Sequence, residues 1–391
     1  MGKLIFALIA LIVGVGAMDI ATFDRAAWKS DHARIKQGMA QHYANLDWVR
    51  DERGLDLAAL DRRTTERIDR SWSHLQAYSA LKDFVAAFAD PHLKLAMGRA
   101  ALPSVTSSHV GARADSPATN DCAASGYGNG NHSFAPHFSA LPGWRPIGEG
   151  SFPTAVAGAA GFVRIASFSE QDYAAACDRA FRTGVGHRAL QLAVRAELQK
   201  DLAKAIAALE AAGARTLVVD LTGNGGGSEW DREAAILFTA RPMRRAEARV
   251  ADAPCNRMAV WSGAQAPCAV FRATAEVAAL KGAGNWTGPL WILTDSSTAS
   301  AAEEFLGWLK DNKAARQLGE RTMGAGCGYV NGGAPVTLAS VPMTVRMPNC
   351  ARYTAAGRNE IEGWSPDRPL TFPNKGDESA WALHLMSAVG G

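Results

Sequence analysis

The chain has 391 residues, 48% of them hydrophobic and 20% charged, with a formal net charge of +3. That balance is globular and excludes extensive disorder, while the small charge leaves no electrostatic footprint for nucleic acid, and no RNA- or DNA-binding motif is present. The length suffices for a core without a metal or disulfide staple, and for two or three domains or one large enzyme with an accessory domain.

The first stretch, "MGKLIFALIALIVGVGAMD", carries one lysine and an apolar run from Leu4 to Val15. Val15-Gly16-Ala17 then offers a small-x-small cleavage site, so residues 1–17 read as a signal peptide. The run is shorter than the roughly 20 residues a spanning helix needs; an uncleaved anchor is the alternative. The expected location is therefore periplasmic or secreted. Export makes the six cysteines read as disulfide partners, since no CxxC or Cys/His spacing suggests zinc. Cys255–Cys268 would close a short loop and Cys327–Cys350 would tie two segments of the C-terminal third, leaving Cys122 and Cys177. Without export, buried thiols are the reading.

Residues 25–98 are helical in pattern. "RIKQGMAQHYANLDWV", "LAALDRRTTERIDRSWSHL" and "AYSALKDFVAAFA" place apolar residues three and four apart, and Pro91 in Asp90-Pro91-His92 ends the run. Residues 99–160 are rich in Ser, Gly, Asn and Ala without periodicity and read as a loop or insertion. Residues 161–391 alternate strands and helices. "GFVRIASF" is a strand, "ALQLAVRAELQKDLAKAIAALEAAGA" a long helix, and "RTLVVDLTGN" and "PLWILT" buried strands, each followed by a helix. "AARQLGERT", "GAPVTLAS" and "MTVRMP" read as strands of a curled sheet. The expected fold class is α/β: an N-terminal helical bundle followed by an α/β core with a mixed, curled sheet.

Two strand-to-helix junctions carry the chemistry. "LVVDLTGNGGGSEWD" runs into Gly225-Gly226-Gly227, whose unobstructed N–H groups suit an oxyanion. It lacks both the GxGxxG order of a dinucleotide site and the Gly-Lys-Ser/Thr of a P-loop; a tight turn is the bland alternative. "LWILTDSSTASAAEEF" runs into a turn at Ser300, where serine is by itself an ordinary helix cap. In an open α/β sheet the loops beyond strand C-termini line the ligand crevice, so both junctions are expected at one cleft.

"GFVRIASF", "LVVDLTGNGGG", "LTDSSTASAAEEF" and "NEIEGWSPDRPL", in that order, resemble the C-terminal processing serine peptidases of family S41, which include the tail-specific proteases and the tricorn core protease. The resemblance covers about Phe162 to Leu370 and implies a ClpP/crotonase-like core. It also implies a nucleophile at Ser300 and an oxyanion hole from the N–H groups of Ala301 and Gly226, with Gly225 as the neighbouring possibility.

Processing proteases of this family activate the serine with a lysine in a Gly-Lys-Gly loop; here that loop is Gly324-Ala325-Gly326, and alanine accepts no proton. Lys310 and Lys313 lie on the nucleophile's own helix. The tricorn-like branch instead uses a histidine and a glutamate. On that resemblance His92 in "FADPHLKL" is the general base and Glu360 its orienting acid, with Glu362 the rival. A helix-terminal histidine making a local hydrogen bond is the bland reading of His92. Thr222 stands where the family often has arginine, so an expected ion pair is missing, and residues 99–160 leave no room for a PDZ module. The other histidines have no evident partners.

The function expected is an exported serine peptidase acting on peptide or protein substrates through Ser300, His92 and Glu360. No metal or organic cofactor, no nucleic acid and no membrane partner beyond an uncleaved anchor is implied; the sequence does not fix the oligomeric state. The alternatives are a catalytically inactive binding protein on the same fold and an esterase for small acyl substrates.

Overall fold

The computed structural model describes residues 19–98, 121–228, 230–272 and 275–390, so the expected signal peptide lies outside them. The chain forms two compact units, one of residues 1–106, 248–274 and 327–351, the other of residues 107–247, 275–326 and 352–391.

Among the described residues the first unit carries the helices α1 (Arg25–His42), α2 (Leu46–Asp51), α3 (Leu57–Arg70) and α4 (His74–Ala86). Asp24, Asp56 and Ser73 cap the N-termini of α1, α3 and α4 with side-chain oxygens on the first free N–H groups. Trp28, Ile35, Met39, Leu60, Ile68, Leu81 and Phe84 form a shared core with Trp261, Val345 and Met347.

The last three belong to segments that the sequence places with the α/β core. Strand β1 (Lys94–Met97) pairs antiparallel with β12 (Met343–Arg346), which pairs with β11 (Val336–Thr337); β7 (Arg249–Val250) pairs with β13 (Cys350–Ala351). Buried polar groups hold these segments in place. The fully buried Arg257 donates to the carbonyls of Met39, Ala40 and Tyr43 and to Asp47, satisfying the orphan carbonyls where α1 ends. The buried Asp31 carboxylate accepts the N–H groups of Ala339 and Ser340. The single curled sheet expected for "GAPVTLAS" and "MTVRMP" is thus corrected: both lie in this separate three-stranded sheet.

The second unit carries a seven-stranded sheet. Its members are β2 (Arg145–Gly148), β3 (Thr154–Ala157), β4 (Ala160–Arg164), β5 (Thr216–Asp220), β9 (Leu290–Thr294), β10 (Arg316–Gly319) and β14 (Arg368–Pro369), in the order β14-β10-β9-β5-β4-β3-β2. The five from β14 to β4 are parallel, and β3 and β2 complete an antiparallel edge. Residues 99–160 are therefore not all loop. "RPIG" and "TAVA" are too short to show periodicity, but they pair onto the sheet. An antiparallel pair, β6 (Met243–Ala246) with β8 (Val277–Leu280), also belongs to this unit.

Because side chains alternate along a strand, β5 and β9 bury both faces. Leu217, Val219, Leu290 and Ile292 pack in one core with residues of helices α5 (Ala174–Ala180), α6 (His187–Ala211), α7 (Asp231–Ala235) and α8 (Ala301–Asp311). Val218, Trp291 and Leu293 pack in a second core with Phe138, Trp381 and Leu385 of a 3-10 turn and of helix α9 (Glu378–Gly390). The fold is mixed α/β with a helical N-terminal region, as expected. Among the described residues no helix is long and apolar enough to cross a membrane, and no group of His, Cys, Asp or Glu is set to hold a metal ion.

Three disulfides are present: Cys122–Cys177, Cys255–Cys268 and Cys327–Cys350. Two are the pairs expected from the sequence, and the third joins the remaining cysteines.

Candidate active site

The adjacency of β5 and β9 brings the two junctions together within the second unit. Gly223 N–H donates to Asp295 at 3.0 Å, Thr298 Oγ1 donates to the Leu221 carbonyl at 3.0 Å, and Ala299 N–H donates to the Asn224 carbonyl at 2.9 Å. The glycine-rich turn and the serine turn therefore form one surface at the C-terminal edge of the sheet.

Ser300 sits at the cap of α8 with φ 58° and ψ −114°. A positive φ is costly for a residue with a Cβ and persists only where the surroundings impose it. They do so here: a Cβ on Gly226 would stand 2.7 Å from Ser300 Cβ and 2.8 Å from Ala301 N, so the bare glycine backbone is pressed directly against the serine turn. Ser300 is half-buried, and behind it α8 is buried from Ala301 to Leu309.

Gly226 N–H donates to Asn224 Oδ1 at 2.9 Å, so that donor is already used. Gly225 is exposed, and among the described residues its N–H and that of Ala301, the first residue of α8, have no acceptor. These two donors come one from each junction, and the Gly226 backbone lies close against the serine turn.

A buried ion network underlies the serine turn. Arg352 donates from Nη2 to the carbonyls of Ser300 and Gly326, both at 2.9 Å, from Nη1 to Glu304 at 2.7 Å, and from Nε to Glu360 at 2.9 Å. Arg232 also pairs with Glu304, and Arg245 with Asp311 and Glu360. Burial opposes the charge on Glu304, but the guanidiniums of Arg352, Arg232 and Arg245 hold its carboxyl down at about 2. Both oxygens of Glu360, 1% exposed, are engaged by arginines, whereas Glu362 is only half-buried. The neighbouring Asp231 has the reverse environment: burial, then the charge of Glu304, pushes its carboxyl well above the usual range.

The missing ion pair is also corrected. Asp220 is paired with Arg164 of β4, at 2.6 Å, and the same guanidinium bonds the hydroxyl and carbonyl of Thr222. The cation beside Asp220 comes from the adjacent strand, β4. Its signal was the single arginine in "GFVRIASF".

Ala325, between Gly324 and Gly326, is buried. Lys310 is at the far end of α8, bonded to Gln317, Asp367 and the Ser365 carbonyl; burial lowers its pKa. At 1.5 Å per residue it lies about 15 Å along the helix from Ser300.

His92 belongs to the first unit, Ser300 and Glu360 to the second. Its backbone N–H donates to Asp90 Oδ1 at 2.9 Å, and Asp90 is held in turn by Tyr43 Oη at 3.0 Å and Asn45 Nδ2 at 3.3 Å. Tyr329 donates its hydroxyl to the His92 carbonyl and meets the imidazole edge-on at 5.5 Å. A Cβ on Gly328 would lie 2.9 Å from Nε2, so the half-buried ring rests on bare backbone. The other histidines are not uniformly partnerless: His32 is buried against Phe84, and His132 bonds the Asp172 carbonyl.

Glu303 is absent from the residues expected at the site, yet its carboxylate accepts Ser300 N–H at 2.9 Å. "SAAE" displayed it, since serine followed three residues later by glutamate is the sign of a capping box. Arg352 carried no such sign.

A family model described as peptidase family S41 matches residues 159–370, more than half of the chain. No curated protein sequence matches. Among solved structures, mature CPAF is similar with a TM-score of 0.62 at 15% identity, covering 93% of this chain and 96% of that one. CPAF complexed with lactacystin gives 0.61 at 14%, covering 93% and 97%. A protein of Parabacteroides merdae described as a peptidase gives 0.60 at 15%, covering 93% and 96%. At such identities the likeness is one of fold.

Proposed function

The chain belongs to peptidase family S41, and from that premise we propose that it is an exported serine peptidase whose nucleophile is Ser300. The observation that carries this reading is the Ser300 turn itself, a non-glycine residue at φ 58° on the N-terminus of a buried helix, packed on a glycine that leaves no room for a Cβ. Such strain concentrates at functional sites.

In this reading Ser300 Oγ attacks the scissile carbonyl of a bound peptide as His92 removes its proton. The oxygen that becomes negative is stabilised by the N–H groups of Ala301 and Gly225, aided by the positive end of the α8 dipole. The amine leaves with the proton, and water activated by the same imidazole hydrolyses the acyl-enzyme. Support for His92 comes from its own surroundings: Asp90 and Tyr329 hold its backbone, and its ring lies close against the Gly328 backbone. Glu360 acts through Arg352, holding that guanidinium on the Ser300 carbonyl. Three disulfides support export to an oxidising compartment.

Hydrolysis of a quenched protein substrate tests the reading. Wild type is expected to cleave it and Ser300→Ala to be inert. Turnover of small esters with no peptide cleavage would make the protein an esterase instead.

A further inference from the structure

Glu303 takes no chemical step in the reaction proposed above, yet it gathers more hydrogen bonds than any other side chain at the serine turn. Its Oε1 accepts from Thr322 Oγ1 at 2.6 Å and Gly324 N–H at 2.8 Å. Its Oε2 accepts from the N–H groups of Ser300 at 2.9 Å, Ala325 at 3.0 Å and Gly326 at 3.2 Å. The carboxylate is fully buried, and among the described residues no cation is bonded to it. Burial pushes it up, and the donors pull it back toward the charged form. Three successive N–H groups turned onto one anion make a backbone nest, and Gly324 and Gly326, at φ 78° and 55°, permit the curvature.

We propose that Glu303 is the positioning residue of the nucleophile: its charge holds Ser300 in the strained conformation and fastens the Gly324–Gly326 loop against it. This rests on the serine peptidase reading and deepens it, because the loop that carries the base in lysine-dependent relatives is here a donor cradle for a carboxylate. The bond to Ser300 N–H turns that amide inward, and Arg352 takes the carbonyl of the same residue. The backbone on both sides of Ser300 Cα is thereby fixed, one side by an anion and the other by a cation. Glutamine would fill the same space, but its amide nitrogen would face N–H donors it cannot accept from. The turn then relaxes toward an ordinary φ, and the hydroxyl leaves its firing position. A displacement of about 1 Å at a reacting group can cost on the order of a hundredfold in rate.

The test is the kinetics of a fluorophosphonate acylating wild type, Glu303→Gln and Thr322→Val, together with hydrogen exchange at the amides of residues 324–326. Glu303→Gln is expected to lower the maximal acylation rate about a hundredfold. The half-saturating probe concentration stays unchanged, and exchange at the three amides accelerates. Thr322→Val removes one donor of five, folds as wild type, and shows a smaller fall in the same rate. A Glu303→Gln protein acylated at the wild-type rate, or one whose amides exchange as slowly as wild type, overturns the proposal. If that variant does not fold, an unchanged rate in Thr322→Val overturns it. Wild type that takes no probe while its amides remain slow refutes the serine reading, and the positioning role with it.

Discussion

Arg352 Nη2 donates to the carbonyl oxygen of Ser300 at 2.9 Å while Arg352 Nε is held by Glu360 at the same distance. The carboxylate therefore reaches the backbone of Ser300 through a guanidinium. Arg352→Met leaves Glu304 and Glu360 with one fewer partner in a buried network, and removal of one member of a buried pair costs about 3–5 kcal/mol. Urea unfolding is expected to show a loss of that size. Arg352→Lys recovers only part of it, because an ammonium lacks the fork that meets four acceptors at once.

The two glycines at the junction separate by mutation. At Gly226 a Cβ would meet Ser300 Cβ at 2.7 Å, on a residue at φ 95°; at Gly225 a Cβ meets nothing within 4 Å and φ is not positive. Gly226→Ala is expected to cost about 1–3 kcal/mol and to abolish acylation of Ser300. Gly225→Ala folds as wild type. Denaturation midpoints and probe labelling read both effects.

Cys327–Cys350 joins the residue next to Gly328, on which the His92 ring rests, to β13. Loss of a native disulfide costs about 2–5 kcal/mol. The double Cys327→Ala/Cys350→Ala variant is therefore expected to unfold at lower denaturant, and a reductant will lower the midpoint of wild type but have less effect on the variant.

Acid stability carries the signature of His32. Burial lowers its pKa from 6.5 to about 4, against the attraction of Asp61, 3.6 Å away and already bonded to Lys36. A histidine with a depressed folded pKa is protonated first in the unfolded chain. Its contribution is thus complete above the unfolded value and is lost as pH falls from 6.5 toward 4, on the order of 3 kcal/mol in all. His32→Leu is expected to flatten the stability profile over that range, as measured by unfolding at intervals from pH 7 to 4.

Local pattern made much of this legible. β5 and β9 announce themselves as apolar runs buried on both faces, and α8 begins at a polar turn that the strands aim at one edge. What the sequence hid depends on bonds across long separations. Arg257 ends α1 from more than two hundred residues away, and Asp31 holds the backbone at Ala339; neither has a periodic neighbour to reveal it. For the same reason, residues 248–274 and 327–351 read as part of the α/β core although they complete the helical unit. Asp220 illustrates the point inside the site: its partner, Arg164, is adjacent only once β4 and β5 pair.

The central claim, an activated serine at residue 300 with His92 as its base, is tested most directly by intact mass after treatment with a fluorophosphonate. Wild type, Ser300→Ala and His92→Ala are compared. One adduct on wild type, absent from both variants, is the predicted result. An adduct that persists in His92→Ala contradicts the assignment of the base, and wild type without an adduct contradicts the claim as a whole.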